Sequence, residues 1–223
     1  MNREDPAPLP SPTHRNWVWR TIQILLQNVF TFWLGYRARG IEKLPPGGAL
    51  LLVNHQSFLD PLLVGLPLTR PVSYLARDNL FRIPVVGWIL RNTYVMPIKR
   101  ESAGTESIRE SVRRLEHGYY VGLFPEGTRT RDGHLGEFKP GFLIIARRAN
   151  VPIIPVGIAG AFRALPRGAW WMRPVPVRVV FGDPLSEVEV QQLVEAGKET
   201  LVKTIQQRIA SCLDEANSWL NEG

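Results

Sequence analysis

The chain has 223 residues, enough to bury the core of one domain, and a hydrophobic content of 44% excludes an intrinsically disordered protein. A formal net charge of +7 calls for an anionic partner, a demand that nucleic acid, a phosphate-bearing ligand or an anionic membrane surface would each meet. The one cysteine, Cys212, excludes an intramolecular disulfide and a multi-cysteine zinc site, and the scattered histidines and lack of an Asp-rich loop give no dedicated metal site.

Residues 1–15 are rich in proline and have no periodicity. They lack the basic start, apolar run and small-residue cleavage site of a secretory signal and read as a mobile leader. Over residues 16–36 the single charge is Arg20. Asn16, Arg20, Gln23, Gln27 and Thr31 recur every three or four positions on one helical stripe, while Trp17, Trp19, Ile22, Leu25, Leu26, Val29, Phe30, Trp33 and Leu34 form a wide apolar face. This is the pattern of an amphipathic helix lying in a membrane surface, so residues 16–40 are read as a membrane-associating segment. A spanning helix and a helix packed on the domain's own core are the competing readings. Arg37, Arg39 and Lys43 follow it and suit anionic lipid headgroups.

Pro45, Pro46, Gly47 and Gly48 form a turn before an apolar strand at 49–53. Residues 54–60, NHQSFLD, then lie at a strand-to-helix junction, because Pro61 begins a helical pattern that reaches Gly65. Strands are expected at 72–76 and 94–98 with a short helix at 85–91 between them. Thr105 caps a helix in which Ile108, Val112 and Leu115 share a face, ended by Gly118. A buried strand at 119–124 delivers FPEGTRTRDGHLGEFKPG, residues 124–141. Pro140 opens a helix that runs to Arg148 with Asn150 as its stop, and strands follow at 153–158 and 175–181. Ser186 and Glu189 make a capping box, and Leu193, Val194, Leu201, Ile205, Ile209 and Cys212 form the apolar stripe of one long closing helix. No internal repeat is present. The alternation specifies an α/β protein: a single domain over 41–223, with a mixed, largely parallel sheet flanked by helices.

Within NHQSFLD, His55 and Asp60 suit a base and its orienter. An imidazole with an ordinary pKa of ~6.5 takes a proton from a hydroxyl or thiol near pH 7, and a carboxylate on one ring nitrogen leaves the other free as acceptor. For an isolated His and Asp the favoured reading is a helix cap and a solvated turn residue, since that pairing is common by chance. Ser57, two positions from His55, reads as a local backbone hydrogen-bonding residue rather than a nucleophile.

Four segments shift that balance: Asn54-His55-x4-Asp60, Pro97-Ile98-Lys99-Arg100, Phe124-Pro125-Glu126-Gly127-Thr128-Arg129, and Val151-Pro152-Ile153-Ile154-Pro155-Val156. Together, in this order, they resemble the glycerolipid acyltransferase family, which includes bacterial 1-acylglycerol-3-phosphate acyltransferases. The resemblance covers roughly residues 44–184. It implies transfer of a fatty acyl group from acyl-CoA or acyl carrier protein to the free hydroxyl of 1-acyl-sn-glycerol 3-phosphate (lysophosphatidic acid), giving phosphatidic acid without a cofactor. It further implies a peripheral or monotopic enzyme on the cytoplasmic face of the cell membrane, with membrane lipids as partners. His55 and Asp60 become the catalytic residues, and Arg100 and Arg129 the cations for the acceptor phosphate. Glu126, Gly127 and Thr128 are assigned to acceptor binding or site architecture, Glu126 through an ion pair with an arginine as one route. Lys139 is a further phosphate candidate on its charge, with a surface cation as the equal reading. Lys99 and Tyr94 depart from the acidic and glycine residues often found in the second segment, which opens the acceptor to another lysophospholipid, a lyso-aminolipid or glycerol 3-phosphate. The remaining alternative is a non-catalytic basic module for membranes or nucleic acid. Basic residues scattered among buried strands weigh against nucleic acid.

Overall fold

The apolar runs around residues 50 and 155 become central strands because both of their faces are covered. In the computed structural model, which describes residues 9–98 and 104–222, seven strands form one sheet: β1 (Arg37–Arg39), β2 (Ala49–Val53), β3 (Val72–Arg77), β4 (Met96–Ile98), β5 (Tyr120–Leu123), β6 (Ile153–Ala159) and β7 (Arg178–Phe181). Their spatial order is β1-β7-β6-β2-β5-β3-β4, parallel throughout except between β6 and β7. Every residue of β2, β6 and β7 is buried.

Among the described residues eight α-helices accompany the sheet: α1 (Trp17–Leu34), α2 (Asp60–Gly65), α3 (Pro84–Asn92), α4 (Thr105–Glu116), α5 (Gly141–Ala149), α6 (Ala161–Ala164), α7 (Glu187–Glu195) and α8 (Lys198–Asn221). The strand period of two sorts the core into two layers. Leu51, Val53, Ile154 and Val156 pack with α1 and α2 through Phe30, Leu34, Leu63 and Val64. Leu50, Leu52 and Ile153 pack on the other face with Leu115 of α4, Phe142 of α5 and Leu201, Ile205 and Ile209 of α8.

Departures from the sequence expectations have local causes. The last strand begins at Arg178 rather than 175, because Pro174 and Pro176 supply no N–H to a ladder. Strand β4 begins at Met96, since Tyr94 takes a left-handed φ of 64° that no strand tolerates. Thr105 is the first residue of α4 and not its cap, a place taken by Gly104 without a side-chain bond. The closing helix is two helices, α7 and α8, separated at Gly197 with φ 110°. The short strand β1 and helix α6 carry no sequence signal of their own. Asn150 does end α5 in the left-handed conformation, and the Ser186–Glu189 capping box forms with both of its bonds.

Helix α1 is started by Asn16, whose side chain accepts from the Trp19 N–H at 2.8 Å. Its apolar residues divide between two surroundings. Val18, Trp19, Phe30 and Leu34 are buried in the domain, whereas Trp17, Ile24, Leu25, Val29, Phe32 and Trp33 face outward. The polar stripe is partly internal too, for Gln23 donates to the carbonyls of Leu66 and Leu68 at 2.8 and 2.7 Å. The helix therefore contributes to the core of the domain placed at 41–223 and also presents a greasy outer side. Among the described residues no helix is long and apolar enough to cross a membrane. Of the leader, residues 1–8 lie outside the described residues. Residues 9–15 rest against the domain, with Pro10 and His14 carbonyls accepting from the Tyr119 and Tyr94 hydroxyls at 2.6 and 2.8 Å.

Two phenylalanines on α1 test this division. Phe30 is 3% exposed and Phe32 87%. Phe30→Ala should cost about 3–5 kcal/mol in chemical denaturation, and Phe32→Ala about 0.5 kcal/mol or less. Equal costs would mean that the helix does not face the core as described.

Candidate active site

Strands β2 and β5 are paired in parallel, with Leu52 opposite Leu123, so whatever follows each strand emerges at the same edge of the sheet. This alone brings NHQSFLD and FPEGTR together from about seventy residues apart in sequence. Glu126 then joins them. Its Oε1 accepts from the His55 backbone N–H at 2.7 Å and its Oε2 from the Gly136 N–H at 2.9 Å. Thr130 closes the junction by donating its N–H to the His55 carbonyl at 2.8 Å. Burial raises the Glu126 pKa above the ordinary carboxylate range, against the pull of those two N–H donors. Among the described residues the carboxylate is engaged by backbone amides and by no arginine.

His55 and Asp60 make direct contact: Nδ1 lies 2.8 Å from Oδ2. The same Oδ2 accepts from the N–H groups of Gln56 at 2.6 Å and Ser57 at 2.7 Å, which fixes the carboxylate within its own loop. Asp60 is fully buried and is the first residue of α2, so it is no solvated turn residue; the residue before that helix is Leu59, and His55 does not cap it. Burial pushes the Asp60 pKa up, while the bonds from His55, Ser57 and Gln56 oppose that rise. With a carboxylate on Nδ1, that nitrogen carries the proton and Nε2 is left as the acceptor. The imidazole stacks on Phe124 with ring centroids 4.0 Å apart, and Phe124 stacks in turn on Tyr74 at 5.8 Å. A Cβ at Gly122 would fall 2.1 Å from the Tyr74 ring, so only glycine admits that stack. The ring is thus held on its face by aromatic packing and on its edge by a carboxylate.

Arg129 stands beside this pair. Its guanidinium lies 3.7 Å from the Phe58 ring centroid, and its Nη1 is buried with no hydrogen-bond partner among the described residues. Burial and repulsion from Arg167 lower its pKa, and the Asp60 charge works against both. Gly127 adopts φ 68°, and a Cβ there would meet the Lys139 side chain at 2.9 Å; the lysine stem passes directly over the glycine. The Lys139 N–H donates to the Pro125 carbonyl at 2.8 Å, which folds the end of the long loop back on its beginning. Thr128 is exposed on the same loop. Arg100, with Lys99, lies outside the described residues. Among the described residues no group of three or more His, Cys, Asp or Glu could hold a metal ion.

Three residues of the histidine loop have partners that no spacing reveals. Asn54 completes the ladder beyond β2 by donating to the Ile158 carbonyl at 3.0 Å and accepting from its N–H at 2.7 Å. Gln56 donates to the Gly133 carbonyl and accepts from the Phe162 N–H. Ser57 accepts locally from the Leu59 N–H at 3.3 Å, as its position suggests, but its hydroxyl donates across the molecule to the Leu165 carbonyl at 2.8 Å. Only their place in a polar run directly after an apolar strand could have drawn attention to them.

Replacing Glu126 tests the junction. Glutamine has one acceptor oxygen for two backbone N–H donors, so Glu126→Gln leaves one donor facing an NH2 group. The expected loss in denaturant titration is about 1–3 kcal/mol. An unchanged unfolding midpoint would mean that these two bonds hold nothing together.

The Acyltransferase family model matches residues 35–159, more than half of the chain. A chloroplastic 1-acyl-sn-glycerol-3-phosphate acyltransferase of Brassica napus is 30% identical over 172 residues, covering 75% of this chain and 50% of that protein. The chain thus spans about half the length of the plant chloroplast relatives it matches. The 1-acyl-sn-glycerol-3-phosphate acyltransferase of Bacillus subtilis is 26% identical over 178 residues, covering 78% of this chain and 86% of that one. Among solved structures, the 1-acyl-sn-glycerophosphate (LPA) acyltransferase PlsC of Thermotoga maritima superposes with a TM-score of 0.74 at 27% identity, over 88% of this chain and 78% of that chain. With the His55–Asp60 pair and the Glu126 loop both inside the matched span, the chain belongs to the Acyltransferase family.

Proposed function

We propose that the protein transfers a fatty acyl group from acyl-CoA or acyl carrier protein to the free hydroxyl of 1-acyl-sn-glycerol 3-phosphate, forming phosphatidic acid. The observation that carries this reading is the contact of His55 with the buried Asp60 beside Arg129, a cation within reach of the Asp60 charge whose Nη1 is buried without a hydrogen-bond partner among the described residues. The plant and bacterial relatives, named for 1-acyl-sn-glycerol 3-phosphate, support the same acceptor.

In this mechanism His55 Nε2 removes the proton of the acceptor hydroxyl as its oxygen attacks the thioester carbonyl. Asp60 stabilises the imidazolium that results. The tetrahedral adduct collapses with cleavage of the carbon–sulfur bond, and the imidazolium returns its proton to the departing thiolate. No acyl-enzyme is needed because the thioester is already activated. Arg129 binds the acceptor phosphate, joined by Arg100 and by Lys139 from across Gly127. Gly127 and Thr128 form the loop surface facing the acceptor, and Glu126 positions His55 through its backbone. The outward side of α1 lies in the lipid surface on the cytoplasmic face of the membrane, making the protein peripheral or monotopic.

Folded His55→Ala protein should lose ~10²–10⁴ in turnover, measured as thiol release from acyl-CoA or acyl carrier protein with 1-acyl-glycerol 3-phosphate as acceptor. Asp60→Asn should be similarly impaired, since the wrong tautomer is then favoured. Near wild-type turnover in folded His55→Ala would remove the base from the mechanism.

Arg129→Ala should raise the KM for the phosphate-bearing acceptor more than that for the donor, and Arg129→Lys should recover only part of the loss, because lysine lacks the bidentate fork. An acceptor KM unaltered in both variants, measured beside a panel of other lysolipids, would return Arg129 to a structural role.

A further inference from the structure

The connection from α6 to β7 carries an exposed aromatic pair that the acyl-transfer chemistry does not use. Trp170 is 91% exposed and Trp171 59%. The segment is nonetheless built: the Arg173 N–H donates to the Ala164 carbonyl at 2.8 Å, and Met172 and Val175 pack against the core. It is also joined to α1. Trp33 Nε1 donates to the Met172 carbonyl at 3.1 Å, and the Trp33 and Trp171 rings meet edge to face at 6.2 Å, with Trp170 beside Trp171 at 6.1 Å. The outward side of α1 therefore runs without a break into the two tryptophans of the loop.

The charges of this segment have one sign. Arg163, Arg167 and Arg173, all exposed, flank the tryptophans in sequence, and the chain contains no Asp or Glu from Phe138 through Gly182. Indoles favour the polar boundary of a bilayer, and nearby arginines favour anionic headgroups. The root of the loop is held to the catalytic loop by Ser57, which donates to the Leu165 carbonyl, and by Gln56, which accepts from the Phe162 N–H. Arg167 in turn is close enough to Arg129 to depress its pKa by repulsion.

We propose that this loop is a second membrane-contacting element: Trp170 and Trp171 enter the headgroup layer of an anionic bilayer beside α1, with Arg163, Arg167 and Arg173 on lipid phosphates, and thereby hold the His55 crevice at the bilayer surface. The proposal deepens the acyltransferase reading and rests on it for the purpose of that placement, since the acceptor is itself a bilayer lipid. Because the indoles are exposed, replacing them leaves the fold intact.

The experiment uses the full chain with vesicles of phosphatidylglycerol and phosphatidylcholine in equal parts. The Trp170→Ser/Trp171→Ser protein should bind at least about ten-fold more weakly in co-sedimentation while keeping its melting temperature. A Trp170→Phe/Trp171→Phe protein retains apolar bulk and should still bind. Brominated lipid should quench wild-type tryptophan emission more than that of this phenylalanine variant, the difference being the signal of the two loop indoles. Acyl transfer to a short-chain acceptor dissolved as monomer should be unaltered in the serine variant, and transfer to the same headgroup in vesicles should fall. Vesicle binding and quenching unaltered by the substitutions would overturn the proposal. So would a wild-type dimer, without vesicles, that the serine variant converts to monomer with vesicle binding unaltered, since a second copy would then be the occupant. Absence of acyl transfer in the wild type, with vesicle binding still dependent on the indoles, would refute the enzymatic reading and leave the loop's contact with lipid standing.

Discussion

The carboxylate of Glu126 is the link on which the site depends. It spans two loops that leave adjacent parallel strands and satisfies one backbone N–H from each, at His55 and Gly136. Buried N–H groups without acceptors are costly, so the two loops hold their shape only while both oxygens are in place. The parallel pairing of β2 and β5 is the precondition. An antiparallel partner would send one of the two segments to the opposite edge of the sheet.

Asp60 follows the same principle in a smaller space. A buried carboxylate is tolerated when donors reach it, and here His55 and two successive backbone amides converge on Oδ2, while Oδ1 is buried without a partner among the described residues. Two of the three donors belong to the turn between His55 and Asp60, which accounts for the spacing: Asp60 must open a helix that folds back toward its own loop. The stack of His55, Phe124 and Tyr74 over Gly122 then limits ring rotation. Preorganisation of this kind suits a base that acts once per turnover without rearrangement.

Helix α1 has one covered side and one uncovered side. Its inward residues complete one layer of the core, and its outward residues leave a row of large apolar groups uncovered by the rest of the domain. Contiguous exposed apolar groups of this kind mark interaction sites. Deleting the segment would therefore disturb folding as well as any contact with lipid, and the expected division between a membrane helix and a separate domain from residue 41 does not hold for the core.

Local sequence specified the kind of most elements and the contacts that short motifs make within themselves. Apolar runs bounded by turn residues, the Ser186–Glu189 box and the Asn150 stop all act over a few residues, where local geometry dominates. The His55–Asp60 pair was legible for the same reason, since its partners lie within one turn. The tertiary structure decided the rest. Glu126 binding the His55 backbone, Asn54 completing the ladder to Ile158, Ser57 reaching Leu165, and the burial of only one side of α1 all involve partners distant in sequence. Periodicity shows which residues of a helix are apolar but not how many neighbours will cover them, and a polar side chain does not encode which distant carbonyl the strand order will bring within 3 Å.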